Sequence, residues 1–418
     1  MINMKQIPLL LFLCFVFTVT AAEPLKIAVL SDPHFLAEDI AEPGAALDAF
    51  EKSTGRDVAD LHAVLDYVFD QLIAEGVDVL LVPGDITNHG SIQSHTAFAK
   101  KLQTLKDKGI QTFVIPGNHD VNVPNSKSYI GDKANIVASV SAEEFASIYA
   151  DFGYGNATSR DAHSLSYLAV LNDSTWLLNF DTNKYAENTN NTISSGRILP
   201  QTMSWAIDIL QQAKKRNINM LGMVHHGLVE HIFYQSDFFP NYLLDDWQQN
   251  AEQLADEGLK VVFTGHFHST DAAEFITSKG NKIIDVETGS LSQYPFPYRI
   301  IILKDNELSI NTRFVKSVPE NPDLWDEYII KQENYVRNST SGKFKNMGIP
   351  FPQEIMNALT EVIVQVNMMH MTGDEQVTPE MATALNLMTT LLDISESETT
   401  DFELDFPPGD KQLTILLK

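Results

Sequence analysis

The chain is nearly without cysteine. Its single thiol, Cys14, sits in the first apolar stretch, so the rest of the 418 residues can carry no disulfide, thiolate nucleophile or sulfur-rich metal site. Basic residues are also scarce. Against 55 Asp and Glu stand only 29 Lys and Arg, a formal net charge of −26. A field of that sign opposes nucleic-acid backbones and anionic membranes, so no nucleic-acid polymer is expected as a partner. A small anion remains acceptable wherever a site is locally positive. Beyond the N-terminus no run is long and apolar enough to cross a bilayer. Internal repeats and low-complexity tracts are absent as well.

Residues 1–22 read as an export signal. Lys5 supplies a positive start, 7–19 an apolar run, and Thr20-Ala21-Ala22 small residues for cleavage. The run falls short of the roughly 20 residues a spanning helix needs. Phe12 and Leu13 precede Cys14 where lipid attachment calls for small residues. The expectation is a cleaved signal and an exported protein, periplasmic or extracellular, with no stable membrane insertion.

A hydrophobic content of 44% allows a large core with room for a smaller second unit. Strand-like runs at 26–30, 77–82, 112–115, 219–224 and 260–264 alternate with helical patterns at 61–72, 94–107 and 203–216. Such alternation predicts an α/β fold with largely parallel strands. A hairpin is expected at 164–171 and 175–181, and antiparallel strands at 272–276, 282–288, 298–303 and 308–315. Two helices follow, 353–370 and 379–392, the second opened by Thr378-Pro379. An acidic segment at 395–405 leads to a strand-like tail at 412–417. The expected division is 1–22 signal, 23–316 catalytic domain and 317–418 a mainly helical region that caps or docks on it.

What the strands release is chemically specific. Asp32-Pro33-His34, Gly84-Asp85, Gly117-Asn118-His119-Asp120, His225-His226 and Gly265-His266-Phe267-His268 each follow an apolar run. Open α/β folds place their sites at such strand ends. Asp-x-His alone is a common sequence, whereas Gly-Asn-His-Asp and Gly-His-x-His are rare at this composition. Together these motifs offer enough oxygen and imidazole ligands for two adjacent metal ions. These donors suit Mn, Fe, Zn or Co.

This ordered set resembles the calcineurin-like metallophosphoesterase superfamily over about residues 25–305. Gly196, Gln201, Trp205 and Glu287-Thr288-Gly289-Ser290 are softer points of likeness. The resemblance is greatest to the cyclic-nucleotide phosphodiesterase-like branch, whose exported members can add a C-terminal helical unit. Gly227 departs from it, standing where that branch often has proline.

The likeness implies a four-layer αββα sandwich of two mixed sheets with a C-terminal helical extension. It also implies that Asp32, His34 and His268 hold one metal, Asn118, His225 and His266 the other, and Asp85 bridges them. A bridging carboxylate keeps two cations roughly 3.5–4 Å apart, and a metal-bridging hydroxide then attacks phosphorus. His119 is expected to protonate the leaving group or hydrogen-bond the transition state. Asp120 either supports that imidazole or caps the loop, and His226 either contacts phosphate or serves structure.

The expected substrate is a small phosphodiester of cyclic-nucleotide or glycerophosphodiester type. Absence of Arg or Lys from the motifs favours diesters, and Arg299 is the cation nearest in sequence that would reverse this. The alternatives are a phosphomonoesterase such as a nucleotidase, or a non-catalytic metal- or phosphate-binding relative. The presence of both Asp85 and His119 argues against the last. Tyr294, Phe296 and Tyr298 either wall a base pocket or belong to the core. His62, His89, His95, His163, His231 and His370 are expected in solvated or packing roles.

Overall fold

In the computed structural model, residues 23–56, 58–347, 352–379, 381–383 and 404–418 are described. The expected signal at 1–22, with Cys14, lies outside them. So do most of the helix expected at 379–392 and most of the acidic segment.

In chain order the elements begin with β1 (Leu25–Val29), α1 (Ala45–Thr54), α2 (Leu61–Glu75), β2 (Val79–Val82), α3 (Ile92–Lys106) and β3 (Gln111–Val114). Then come β4 (Lys127–Ile130), β5 (Lys133–Ile136), α4 (Ala142–Ile148), β6 (Ser159–Arg160), β7 (Tyr167–Asn172), β8 (Thr175–Asn179), α5 (Pro200–Lys215) and β9 (Asn219–Met223). The chain continues through α6 (Gln235–Phe238), α7 (Trp247–Asp256), β10 (Val261–Thr264), β11 (Asp271–Ile276), β12 (Lys282–Glu287), β13 (Pro297–Lys304) and β14 (Glu307–Phe314). It ends with α8 (Leu324–Met347), α9 (Gln353–Thr372) and β15 (Gln412–Leu416).

Two mixed sheets result. One runs β15-β14-β13-β1-β2-β3 and the other β11-β12-β10-β9-β8-β7-β6. The five runs that precede the motifs therefore do not share one sheet. β1, β2 and β3 are parallel neighbours in the first, and β9 and β10 in the second. Their C-terminal ends meet at one rim because the sheets pack face to face. Ile27 and Val29 of the first sheet share a core with Leu177, Leu221, Phe263 and Val286 of the second.

Helices cover the outer faces. On α2 the buried stripe is Leu61, Val64, Leu65, Val68, Phe69 and Leu72, and Gly76 at φ 63° ends the helix in a left-handed cap. α5 and α7 bury Met203, Ala206, Leu210, Leu254 and Ala255 against Trp176, Leu178, Met220 and Val262. These four layers are the expected sandwich. β7 and β8 form the expected hairpin, and β12 pairs antiparallel with β11 but parallel with β10.

After 317 the chain packs back. The helix α8 was not expected from sequence. Its Trp325 meets Tyr294 and its Tyr328 meets Phe296, at ring separations of 4.8 and 5.1 Å. Tyr294, Phe296 and Tyr298 are thus buried core residues rather than pocket walls. The tail returns as β15, antiparallel to β14, and extends the first sheet.

Candidate metal centre

Sharp turns after the strands build the site. Asp32, His34, Asp85, His266 and His268 all have positive φ, between 43° and 73°. Side-chain-bearing residues avoid that region, at a cost of order 1–3 kcal/mol each, and such strain gathers at functional sites. Two glycines show how closely the loops approach. A Cβ on Gly117 would overlap the backbone nitrogen and Oδ1 of Asp85, and one on Gly265 would overlap Ser31 and the Asp32 carboxylate.

The seven side chains converge in two adjoining groups. In one, His268 Nε2 lies 3.2 Å from Asp32 Oδ1 and 3.1 Å from His34 Nε2, while His34 Nε2 is 3.8 Å from Asp85 Oδ2. In the other, His225 Nε2 lies 3.2 Å from Asn118 Oδ1 and 3.4 Å from Asp85 Oδ1. His266 stacks beside His225 with ring centroids 4.7 Å apart. Asp85 belongs to both groups through its two oxygens.

Neighbouring groups determine which imidazole nitrogens face inward. His225 Nδ1 donates to the Pro83 carbonyl at 2.8 Å, which leaves Nε2 facing inward. Gln293 Nε2 donates to the Thr54 carbonyl, so its Oε1 is the atom that accepts from His268 Nδ1 at 2.6 Å. His266 Nε2 donates to the Asn241 carbonyl, turning Nδ1 to the centre. The nitrogen of each ring that is not engaged outward is left for the centre. Asp32 Oδ1 is buried with no hydrogen-bond partner. Imidazole, carboxylate and amide donors gathered this closely in a buried site fit a pair of metal ions.

Titration behaviour agrees. Burial, and then the charge of Asp32, push Asp85 up to about 8. Asp32 is also buried, yet His268 and His225 hold its carboxyl at about 2. Burial, then Arg56 and His268, push His34 well below its usual value, and burial followed by His225 brings His266 to about 3. Both rings are neutral at physiological pH, as metal ligands must be.

The remaining sequence candidates fall in different places. His119 stands at the rim. Its ring meets His34 edge-on at 5.1 Å, Nδ1 donates to the Asn88 carbonyl at 2.9 Å, and Nε2 faces Arg56 Nη2 at 3.3 Å. Asp120 does not support that ring. Its carboxylate accepts from the backbone nitrogens of Ile86, Thr87 and Gly117, so it ties together the loops after β2 and β3. His226 is wholly buried, with Nδ1 on the Thr182 hydroxyl at 2.7 Å and Nε2 on the Ser194 carbonyl at 3.1 Å. Both nitrogens are occupied, and the ring packs against His225 and His266, with a ring nitrogen within 4.8 Å of theirs.

Arg299 is buried away from the centre, bonded to Thr288, Thr312 and the carbonyls of Asp271, Glu287 and Asp410. The cation at the site is Arg56, which the sequence reading missed. Its Nη1 donates to Asn88 Oδ1 at 2.7 Å. Burial weakens its charged form, and the carboxylates of Asp85 and Asp32 support it. Arg56 and Asn88 carry no motif of their own. The only hint of Asn88 was its position three residues after Asp85.

The model of the calcineurin-like phosphoesterase family matches residues 25–270. A probable cyclic nucleotide phosphodiesterase of Vesicomyosocius okutanii subsp. Calyptogena okutanii (strain HA) is 37% identical over 59 residues, 14% of this chain. The match spans only 24% of that relative's length. Among solved structures, a dimetal phosphatase from Danio rerio is similar at 13% identity and TM-score 0.48, over 70% of this chain and 97% of that one. A purple acid phosphatase from yellow lupin seeds is similar at 11% identity and TM-score 0.42, over 70% and 52%.

Proposed function

The chain belongs to the calcineurin-like phosphoesterase family, and from that premise we propose that it hydrolyses small phosphodiesters of cyclic-nucleotide or glycerophosphodiester type. The convergence of His225 Nε2, Asn118 Oδ1 and Asp85 Oδ1 beside the Asp32, His34 and His268 group carries this reading. In it, Asp32, His34, His268 and Asp85 would hold one metal, and Asn118, His225, His266 and Asp85 would hold the other. A metal pair supplies Lewis acidity and an activated water for in-line displacement at phosphorus.

The chain's own residues do the rest. Gln293 and the Pro83 carbonyl fix the tautomers of His268 and His225. Arg56 offers its guanidinium to a phosphoryl oxygen, where a fork of donors stabilises developing charge. His119 is pushed well below its usual pKa by burial first and Arg56 second. It is therefore a neutral ring whose Nδ1 hydrogen goes to the Asn88 carbonyl and whose Nε2 accepts from Arg56, so it orients the guanidinium toward the substrate. The named activity of the Vesicomyosocius okutanii relative supports a diester.

Arg56 also favours a second reading. A cation beside the centre removes the sequence argument against monoester dianions, so phosphomonoester hydrolysis stands as the alternative. The metal-loaded chain is to be assayed on bis-p-nitrophenyl phosphate and p-nitrophenyl phosphate. Diester turnover is expected to dominate, to vanish in Asp85→Asn and to fall roughly 10²-fold in Arg56→Ala. Dominant monoester turnover would replace the diester reading with the phosphatase one. Export through residues 1–22, a catalytic unit over 23–316 and a C-terminal region over 317–418 complete the proposal. N-terminal sequencing of the exported protein tests the cleavage.

A further inference from the structure

Behind the metal centre lies a second cluster that the phosphoesterase chemistry does not use. Asp271, at the start of β11, His370, in the last turn of α9, and Glu375, just beyond it, are all buried. Potential ligand atoms of the three lie within 4.8 Å of one another. His370 Nδ1 is 2.5 Å from Glu375 Oε1 and 3.3 Å from Asp271 Oδ2. His231 Nδ1 donates to the other oxygen of Asp271 at 2.8 Å and fixes its orientation.

Polar atoms here are left without partners. Asp271 Oδ2, His370 Nε2, Glu375 Oε2, His231 Nε2 and Glu287 Oε2 are buried with no hydrogen bond. Asp271 Oδ2, His231 Nε2 and Glu287 Oε2 still lie 3.3–3.7 Å from opposite partners, whereas His370 Nε2 and Glu375 Oε2 have none, which leaves donor capacity for a ligand at the Asp271–His370–Glu375 group. The charge is also unbalanced. Asp271, Asp285, Glu287 and Glu375 surround two imidazoles, and Arg299 spends its hydrogen bonds on hydroxyls and carbonyls rather than carboxylates.

We propose that Asp271, His370 and Glu375 bind a divalent transition-metal ion that fastens the C-terminal helix α9 to the segment bearing His266 and His268. Imidazole with carboxylate donors suits Zn²⁺ or Mn²⁺, and His231 holds Asp271 from behind in the manner of a supporting histidine–carboxylate pair. The segment is already tied to α9. Thr270 donates its backbone nitrogen to the His370 carbonyl at 3.1 Å, and the Phe267 ring lies 5.4 Å from His370. Phe267 stands between His266 and His268, so an ion at this point holds the ligand loop from its far side. Without a cation the nest balances its charge with protons. Burial pushes Glu287 up to about 8, and Asp271 with Glu375 hold His370 at about 10 against burial. The site stands whether or not the chain turns over phosphodiesters.

Zn²⁺ titration of the chelator-stripped full chain, counted by native mass spectrometry, tests this. The parent is expected to bind one equivalent more than Glu375→Gln or His370→Gln. A chain carrying Asp85→Asn and His225→Gln should still bind one, with melting raised by roughly 3 °C at a hundredfold excess over Kd. That count separates this site from the dinuclear centre, whose own failure would leave the one-equivalent difference intact. An unchanged count in Glu375→Gln, or no ion and no melting shift in the Asp85→Asn/His225→Gln chain, overturns the proposal. If His370→Gln fails to fold, the isosteric Glu375→Gln and the Asp85→Asn/His225→Gln chain decide it.

Discussion

Asp85 is where two demands meet. It must be ionised to hold metal, yet burial and the neighbouring Asp32 push its carboxyl up to about 8 in the metal-free protein. An unfolded Asp titrates near 3.8, so the folded chain holds a proton that the unfolded chain has lost between those values. Stability from this group is complete below about 3.8 and is lost as pH rises through about 8. Glu287 and Asp410, each pushed up to about 8 chiefly by burial, act in the same direction. The buried histidines held low, His34, His119, His226 and His266, act oppositely but only below about 6.5, where the unfolded chain takes up protons. Between pH 7 and 8.5 the chelator-stripped protein should therefore lose melting temperature, and Asp85→Asn should flatten part of that slope. Metal loading should reverse the trend, because ligand deprotonation then favours binding. Thermal melts of both forms across that window check the sign. Asp85 and the other six converging residues were legible in sequence because each follows an apolar strand in a recognisable cluster. Arg56 was not. It lies in the loop between α1 and α2 with no pattern around it, and only the packing of that loop brings it to His119.

Among the elements, the strands that release the motifs were readable and α8 was not. β2 and β10 are short apolar runs buried on both faces, and β1 is buried from Ile27 on, a strong signal for central strands. On α8 the buried positions are Leu324, Tyr328, Gln332, Val336 and Thr340, one stripe at a spacing of four. Two of the five are polar, and Ser339-Thr340-Ser341-Gly342 interrupts any helical pattern. Tertiary contact supplies what local propensity lacks. Tyr328 carries much of that contact through the Phe296 ring and a hydrogen bond to Asp60. Tyr328→Ala should cost about 3 kcal/mol, as large aromatic truncations in cores do, and lower the midpoint of urea unfolding. An unchanged midpoint would mean that α8 docks without this anchor. Assignment of the strands to two sheets was equally hidden. Periodicity identifies strands but does not say which pair, and here the superfamily resemblance supplied the sandwich.

For the whole molecule, a net charge of −26 and a centre for anionic phosphoesters are compatible because the charges act at different distances. Salt screens the surface field within about 8–10 Å, whereas ions at a buried site govern its interior. The two sheets serve that centre jointly. The first contributes Asp32, His34, Asp85 and Asn118, and the second His225, His266 and His268. Any relative displacement of the sheets would separate Asp85 from His225. Anomalous diffraction from crystals of the Mn²⁺-loaded chain, collected where manganese scatters anomalously, tests the dinuclear centre most directly. Two peaks flanking the Asp85 carboxylate are expected, one beside Asp32, His34 and His268 and the other beside Asn118, His225 and His266. A single peak there, or none, would contradict it.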